Sequence, residues 1–172
     1  MKGQLNVTGT SKTAIFQEIG DILAAQGFTI DRQDFNRPWG GFFVIDEALA
    51  PQFIATYFPN QDVQKLVGGR KVSPKILVVA PNKRLSWQYH HRRSEVWRVV
   101  GGKVGIVRSQ TNEQGEVITL SEGNLVTLTK GERHRLVGLS GFGLVAEIWQ
   151  HTDPNQPSDE DDIVRLADDF GR

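Results

Sequence analysis

The residues best suited to chemistry fall in one stretch, Leu85–Gly102, LSWQYHHRRSEVWRVVGG. Read as a strand, alternate side chains share a face, so Gln88, His90 and Arg92 point one way and Trp87, Tyr89 and His91 the other. Glu95 follows where the chain can turn into the next strand. A face of Gln, His and Arg with a glutamate at hand is too polar for an ordinary core. Buried polar groups need hydrogen-bond partners, and buried charges need counter-charges or a metal. A second stretch, Gly123–Gly138, GNLVTLTKGERHRLVG, reads strand, tight turn at Lys130-Gly131, strand. It delivers His134 just after the turn, where its ring can enter the same cavity. Taken singly, His90 and His134 each read as a hydrogen-bonded core histidine.

Two more ionisable residues sit among apolar neighbours. Glu147, in LVAEIWQ, either faces the cavity, where burial raises its pKa and suits it to proton transfer, or faces out as a solvated strand residue. Lys75, in SPKILVVAP, has the same pair of readings, cavity or surface. Arg93 and Arg98 read as surface or interface charges, and Trp97 and Trp149 as core aromatics.

The elements that must position these groups are mostly strands. Residues 12–26 carry the one long helical pattern: Ile15, Phe16, Ile19, Ile22 and Leu23 share a face. Ser11 or Thr13 can cap its start, and Gly27 can end it in a left-handed conformation. From residue 40 onward, short runs of Val, Ile, Phe and Thr recur between turn residues. They predict strands near 41–46, 52–58, 74–80, 84–91, 95–100, 103–109, 115–120, 124–129, 134–138 and 142–150. Many short strands at near-regular spacing mean a sandwich or barrel. Residues 152–162 form a polar, acidic loop, and Ile163, Val164 and Leu166 suggest a short closing helix.

Composition narrows the function. The 172 residues make one ordinary domain. Twenty Lys+Arg balance twenty Asp+Glu, which argues against a nucleic-acid binder relying on a basic field. The lack of cysteine excludes disulfides, a thiol nucleophile and thiolate zinc sites. No apolar run approaches the ~18 residues of a membrane helix. Met1 to Thr10 shows no apolar signal-peptide core. The expectation is a cytoplasmic protein without membrane or nucleic-acid partners.

These stretches resemble the cupins. The second cupin motif, Gly-x5-Pro-x-Gly-x2-His-x3-Asn, is met from Gly123 to Gly138, with Thr129 where proline is usual and Gly138 where asparagine is usual. His90, Glu95 and Gly101 or Gly102 match the layout of the first. The closer resemblance is to the cupin domain of type II phosphomannose isomerases, which also occurs fused to mannose-1-phosphate guanylyltransferases. Leu85, Ser86, Gln88, His90, His91, Arg93, Glu95 and Trp97 fit its L-S-x-Q-x-H-H-x-R-x-E-x-W hallmark. Arg37 to Gly40 fit its R-P-W-G segment, and Glu160 to Arg165, Asp169, Phe170, Gly171 and Arg172 fit its ending. The resemblance covers roughly Asn36 to Arg172. It implies an all-β fold, the cupin jelly-roll β-barrel, to which the residue patterns add an N-terminal helix, outside the resemblance, and a short C-terminal helix. Residues 1–35 would be a helical extension packing on the barrel or a partner, and 36–172 a stand-alone barrel domain with its closing helix.

Cupins usually read His-x-His, and here the second histidine is Arg92, whose guanidinium has no free lone pair for a metal. The ligand set that the resemblance leaves is Gln88, His90, Glu95 and His134. It suits a divalent ion, Zn²⁺ first, with Mn²⁺, Fe²⁺, Co²⁺ or Ni²⁺ compatible. Alternatively, Arg92 replaces the ion and pairs with Glu95. The implied activity is that of a mannose-6-phosphate isomerase, interconverting aldose and ketose phosphates through an enediol. Glu147 or Lys75 would be the base, and Arg92, with Arg37 or Arg165, would hold the phosphate. A non-catalytic carbohydrate- or nucleotide-sugar-binding cupin is the alternative. A homodimer is expected, because edge strands need covering.

Overall fold

Local signals decide the first element. The computed structural model describes residues 3–172; Met1 and Lys2, counted above in the N-terminal extension, lie outside the described residues. Helix α1 (Lys12–Ala25) forms where its spacing predicts, with the Ser11 side chain accepting the Ala14 N–H and Ile15, Phe16, Ile19 and Leu23 buried. Gly27 takes φ +85°, and the Phe28 N–H returns to the Leu23 carbonyl to close the helix end.

The chain continues through β1 (Ile30–Arg37), β2 (Gly40–Ile45), a 3₁₀ turn (Glu47–Leu49), α2 (Ala50–Tyr57) and α3 (Val63–Val67). Then come β3 (Lys75–Val79), β4 (Trp87–Tyr89), β5 (Arg93–Gly101), β6 (Lys103–Ser109) and β7 (Ile118–Ser121). Last are β8 (Leu125–Leu128), β9 (Arg133–Gly138), β10 (Gly143–His151) and β11 (Val164–Ala167). They build two antiparallel sheets, ordered β1-β2-β3-β10-β5-β8 and β11-β4-β9-β6-β7. Gly40 opens β2 at φ +144°, where any Cβ would collide with the Val78 carbonyl of β3. No helix among the described residues is long and apolar enough to cross a membrane.

Alternation along the central strands sets the layers. On β3, β5 and β10, Ile76, Val78, Val96, Val100, Ala146 and Ile148 pack with Phe16, Ile19, Phe53 and Tyr57 of α1 and α2. Their neighbours Leu77, Val79, Trp97, Val99 and Val145 meet Val104, Ile106 and Leu136 of the second sheet.

This architecture corrects the expected all-β jelly-roll β-barrel. The fold is mixed α/β, and among the described residues no ladder joins the edge strands β1 and β8 to β7 or β11. The two sheets therefore neither close into a barrel nor curl as a jelly roll. The cause lies in strands such as β3, whose five residues are all buried. A strand apolar on both faces needs cover on both, and here helices supply the second cover.

Two elements also change type. Residues 52–58, expected as a strand, lie largely in α2: Phe53, Ile54 and Tyr57 share a buried helical face, and Pro51 sits in the first turn, where its missing N–H is harmless. Residues 163–166, expected as a closing helix, enter β11, which sets Val164 opposite Tyr89 and Arg165 opposite Gln88. The edge of β4 offers Val164, Arg165 and Ala167 a ladder that a short helix would lack.

Candidate active site

Two rows of side chains from the facing sheets stand at a cavity of about 660 Å³, which Lys75, Gln88, Glu95, Trp97, Glu147 and Arg165 line and which His134 and Trp149 do not. Antiparallel register sets Lys75 of β3 opposite Glu147 of β10, Glu147 opposite Trp97 of β5, and Trp149 opposite Glu95. Residues directly opposite share a face, so all five lie on the face turned to the second sheet. In that sheet Arg165 of β11, Gln88 of β4 and His134 of β9 stand side by side. His90 follows β4 in the turn that leads to β5.

His90, Glu95 and His134 converge, with one ligand atom of each within 4.8 Å of the others. Glu95 Oε1 is 3.0 Å from His90 Nε2, and its Oε2 is 3.5 Å from His134 Nε2. The second nitrogen of each imidazole is engaged by a backbone carbonyl: His90 Nδ1 by Asp162 at 2.6 Å, His134 Nδ1 by Glu132 at 3.0 Å. A carbonyl only accepts, so both rings carry a proton on Nδ1 and present Nε2, the nitrogen that would ligate an ion once deprotonated, to Glu95. His134 Nε2 is buried without a hydrogen-bond partner. Two oriented imidazoles, a carboxylate and an orphaned nitrogen fit a divalent ion. Gln88 lines the same cavity, its Oε1 accepting from Ser86 Oγ at 2.7 Å.

The two buried glutamates are driven apart. Burial alone would raise Glu95, but His90, His134 and Arg93 outweigh it and hold its carboxyl well below the usual range. Glu147 is pushed up to about 7 by burial and by repulsion from Glu95, against the pull of Lys75, Arg93 and the Trp97 N–H. Trp97 Nε1 donates to both, to Glu95 Oε2 at 3.1 Å and Glu147 Oε2 at 2.8 Å. One carboxylate is thereby kept ionised while the other titrates near neutrality, the division that acid–base chemistry requires.

The remaining expected residues are placed as follows. Lys75 Nζ donates to Glu160 at 2.9 Å and lies 4.5 Å from the centre of the Trp149 ring. Arg37, Arg165 and Arg172 border the cavity. Arg37 pairs with Asp34 and Arg172 with Asp168, whereas Arg165 makes no side-chain hydrogen bond or ion pair among the described residues. Burial and the charges of Arg172 and Arg37 lower the Arg165 pKa, which marks an anion-attracting rim.

Arg92 does not share the face of Gln88 and His90. The alternation stops at Tyr89, residues 90–92 turn, and β5 restarts the parity at Arg93. Arg93, expected at the surface, is thus 6% exposed and lines the cavity. Arg92 instead bonds the Pro157 carbonyl and Asp159 outside the lining. Arg98 is also buried, on the helical side, donating to the carbonyls of Gly3 and Tyr57.

Asp162 escaped sequence reasoning as a site residue, although it stands in the closing motif. Buried, it accepts from the His91 N–H (2.9 Å), the Arg92 N–H (3.0 Å) and Ser158 Oγ (2.6 Å), and its carbonyl holds His90. It pins the turn that carries the histidine. Asp162→Ala strands three donors, the buried Ser158 hydroxyl and the part-buried N–H groups of His91 and Arg92, and is expected to cost about 3 kcal/mol of stability. Urea unfolding checks the cost, and faster amide exchange at His91 and Arg92 checks its location.

Comparison with known proteins adds the following. Residues 26–168 match the family described as mannose-6-phosphate isomerase C-terminal. Xanthan biosynthesis protein XanB of Xanthomonas campestris pv. campestris is 30% identical over 137 residues, 79% of this chain and 23% of that protein. A mannose-1-phosphate guanylyltransferase of Escherichia coli K12 is 28% identical over 137 residues, 79% of this chain and 22% of that protein. The chain thus spans about a quarter of the length of the curated relatives it matches. Among solved structures, the Staphylococcus aureus capsular polysaccharide assembling protein CapF aligns with a TM-score of 0.50 and 18% identity, over 81% of this chain and 34% of that one.

Proposed function

Because this chain belongs to the mannose-6-phosphate isomerase C-terminal family, within the cupin superfamily, we propose that its cavity isomerises a phosphorylated sugar between aldose and ketose forms. The observation that carries this reading is Glu147: a buried carboxyl titrating near 7, in the cavity that His90 and Glu95 also border and that arginines rim. A base of that strength removes the proton alpha to a carbonyl, leaving an enediol, and returns it to the adjacent carbon. The Trp97 N–H holds the Glu147 oxygen in place. Lys75 stands directly across from Glu147 with its nitrogen donating to Glu160, which suits it to electrostatic support and leaves Glu147 as the base. Arg165 and Arg37 hold the phosphate, because a guanidinium fork matches its oxygens. His90, Glu95 and His134, with Gln88, would hold a divalent ion, Zn²⁺ in first place, which when bound polarises the substrate's carbonyl oxygen.

The test is proton exchange. With mannose 6-phosphate or fructose 6-phosphate in D₂O, the isomerase reading expects deuterium at C2 of the aldose and C1 of the ketose, detected by NMR and mass spectrometry. A second reading, a carbohydrate-binding domain without turnover, is favoured by the Arg93 guanidinium lying on Glu95; it expects binding with no exchange. Arg165→Ala should raise KM for the phosphorylated sugar about 10- to 100-fold, the worth of one charge-assisted hydrogen bond, with kcat little changed. An unchanged KM removes Arg165 from the phosphate site.

A further inference from the structure

Arg93 has no part in the proton transfer, yet it lies at the centre of the site. Its guanidinium is 3.9 Å from the centre of the Trp149 ring. Nε donates to Glu95 Oε1 at 3.0 Å, and the two terminal nitrogens divide the rest: one donates to Ser158 Oγ (3.0 Å) and the Asp159 carbonyl (2.9 Å), the other lies 3.4 Å from His90 Nε2. The Asp162 carbonyl accepts the Nδ1 N–H of His90, which leaves that same Nε2 as the atom that would ligate an ion. Two of the atoms suited to hold an ion, Glu95 Oε1 and His90 Nε2, therefore already face a fixed positive charge, while the third, His134 Nε2, has no hydrogen-bond partner among the described residues. An ion ligated by His90 and Glu95 needs the two atoms that the Arg93 N–H groups now approach, and in a buried site two cations so placed repel strongly.

We propose that Arg93 is a built-in cation that closes the His90–Glu95 edge when no ion is bound and must withdraw from it for an ion to enter, so that this residue sets the metal affinity of the site. The anchors for withdrawal are present: Ser158 and Asp159, on the loop between β10 and β11, hold the one guanidinium nitrogen that bonds neither Glu95 nor His90. The inference rests on the metal reading above and concerns a different residue.

The experiment titrates chelator-treated protein with Zn²⁺ against a chromophoric competitor and records thermal melts with and without Zn²⁺, for the native chain and for Arg93→Met. Arg93→Met is expected to bind Zn²⁺ at least tenfold more tightly and to show a lower Tm without Zn²⁺ and a larger rise on adding it. If both bind equally, or the variant more weakly, the Arg93 inference falls and the metal reading stands. If both are folded and neither binds Zn²⁺, the metal reading falls and takes the inference with it. Should Arg93→Met not fold without Zn²⁺, Arg93→Gln, which keeps a donor for Glu95 but no charge, decides by the same tenfold criterion.

Discussion

Glu95→Ala is expected to purify without stoichiometric divalent ion and to lose about 3–5 kcal/mol of folding stability. Both effects have one origin. The Glu95 carboxylate is the only acid among the three converging side chains, and it meets His90, His134, Arg93 and the Trp97 N–H at once. Removing it takes one ligand from an ion, a loss of at least about 100-fold in affinity, larger than that of a supporting hydrogen bond. It also leaves the Arg93 guanidinium buried without its counter-charge. Glu95→Gln separates the two effects: the amide still accepts from Trp97 but cannot neutralise Arg93. Elemental analysis of protein purified without chelator or nickel resin reads the first effect, and urea unfolding reads the second. Undiminished metal content in Glu95→Ala would remove Glu95 from the ligand set.

Glu147→Gln is expected to lower kcat by about 10²- to 10⁴-fold, the range of a general base, with metal content unchanged. The pH dependence gives the sign. With its pKa raised to about 7, Glu147 becomes a base as pH rises, so kcat/KM should climb through that region and level off above it. The limb should vanish in Glu147→Gln. Stability runs the other way: the neutral carboxyl suits the buried site, so its contribution is full below the ordinary carboxyl value of 4.5 and is lost as pH rises through about 7. A pH–rate profile of the variant that keeps the native limb would assign the proton transfer to another group.

Much of the site could be read from residue order. His90, Glu95 and His134 stand in two short stretches with recognisable spacing, and their ligand atoms converge in space. Glu147 was legible as an acid in an apolar strand, but its side was not. A single strand shows which residues alternate and not which face the partner sheet covers. Only the pairing of β10 with β3 and β5 turned Glu147 toward Lys75 and Trp97. The exchange of Arg92 for Arg93 has the same root. Parity counting assumes an unbroken strand, and the turn at residues 90–92, pinned by Asp162 from 70 residues away, resets the count.

The amino-acid sequence by itself determined the helix over 12–26, most of the strands, the absence of thiol chemistry and the donor atoms available for a site. These follow from local periodicity, capping and residue type, which act over a few residues. The tertiary structure alone decided that the sheets stay open beneath a helical layer, that Val164–Ala167 join an edge as a strand, and that a buried arginine shares the carboxylate at the centre. Such outcomes depend on which surfaces distant segments cover, and on the cost of leaving a charge or a ladder unpaired once they do.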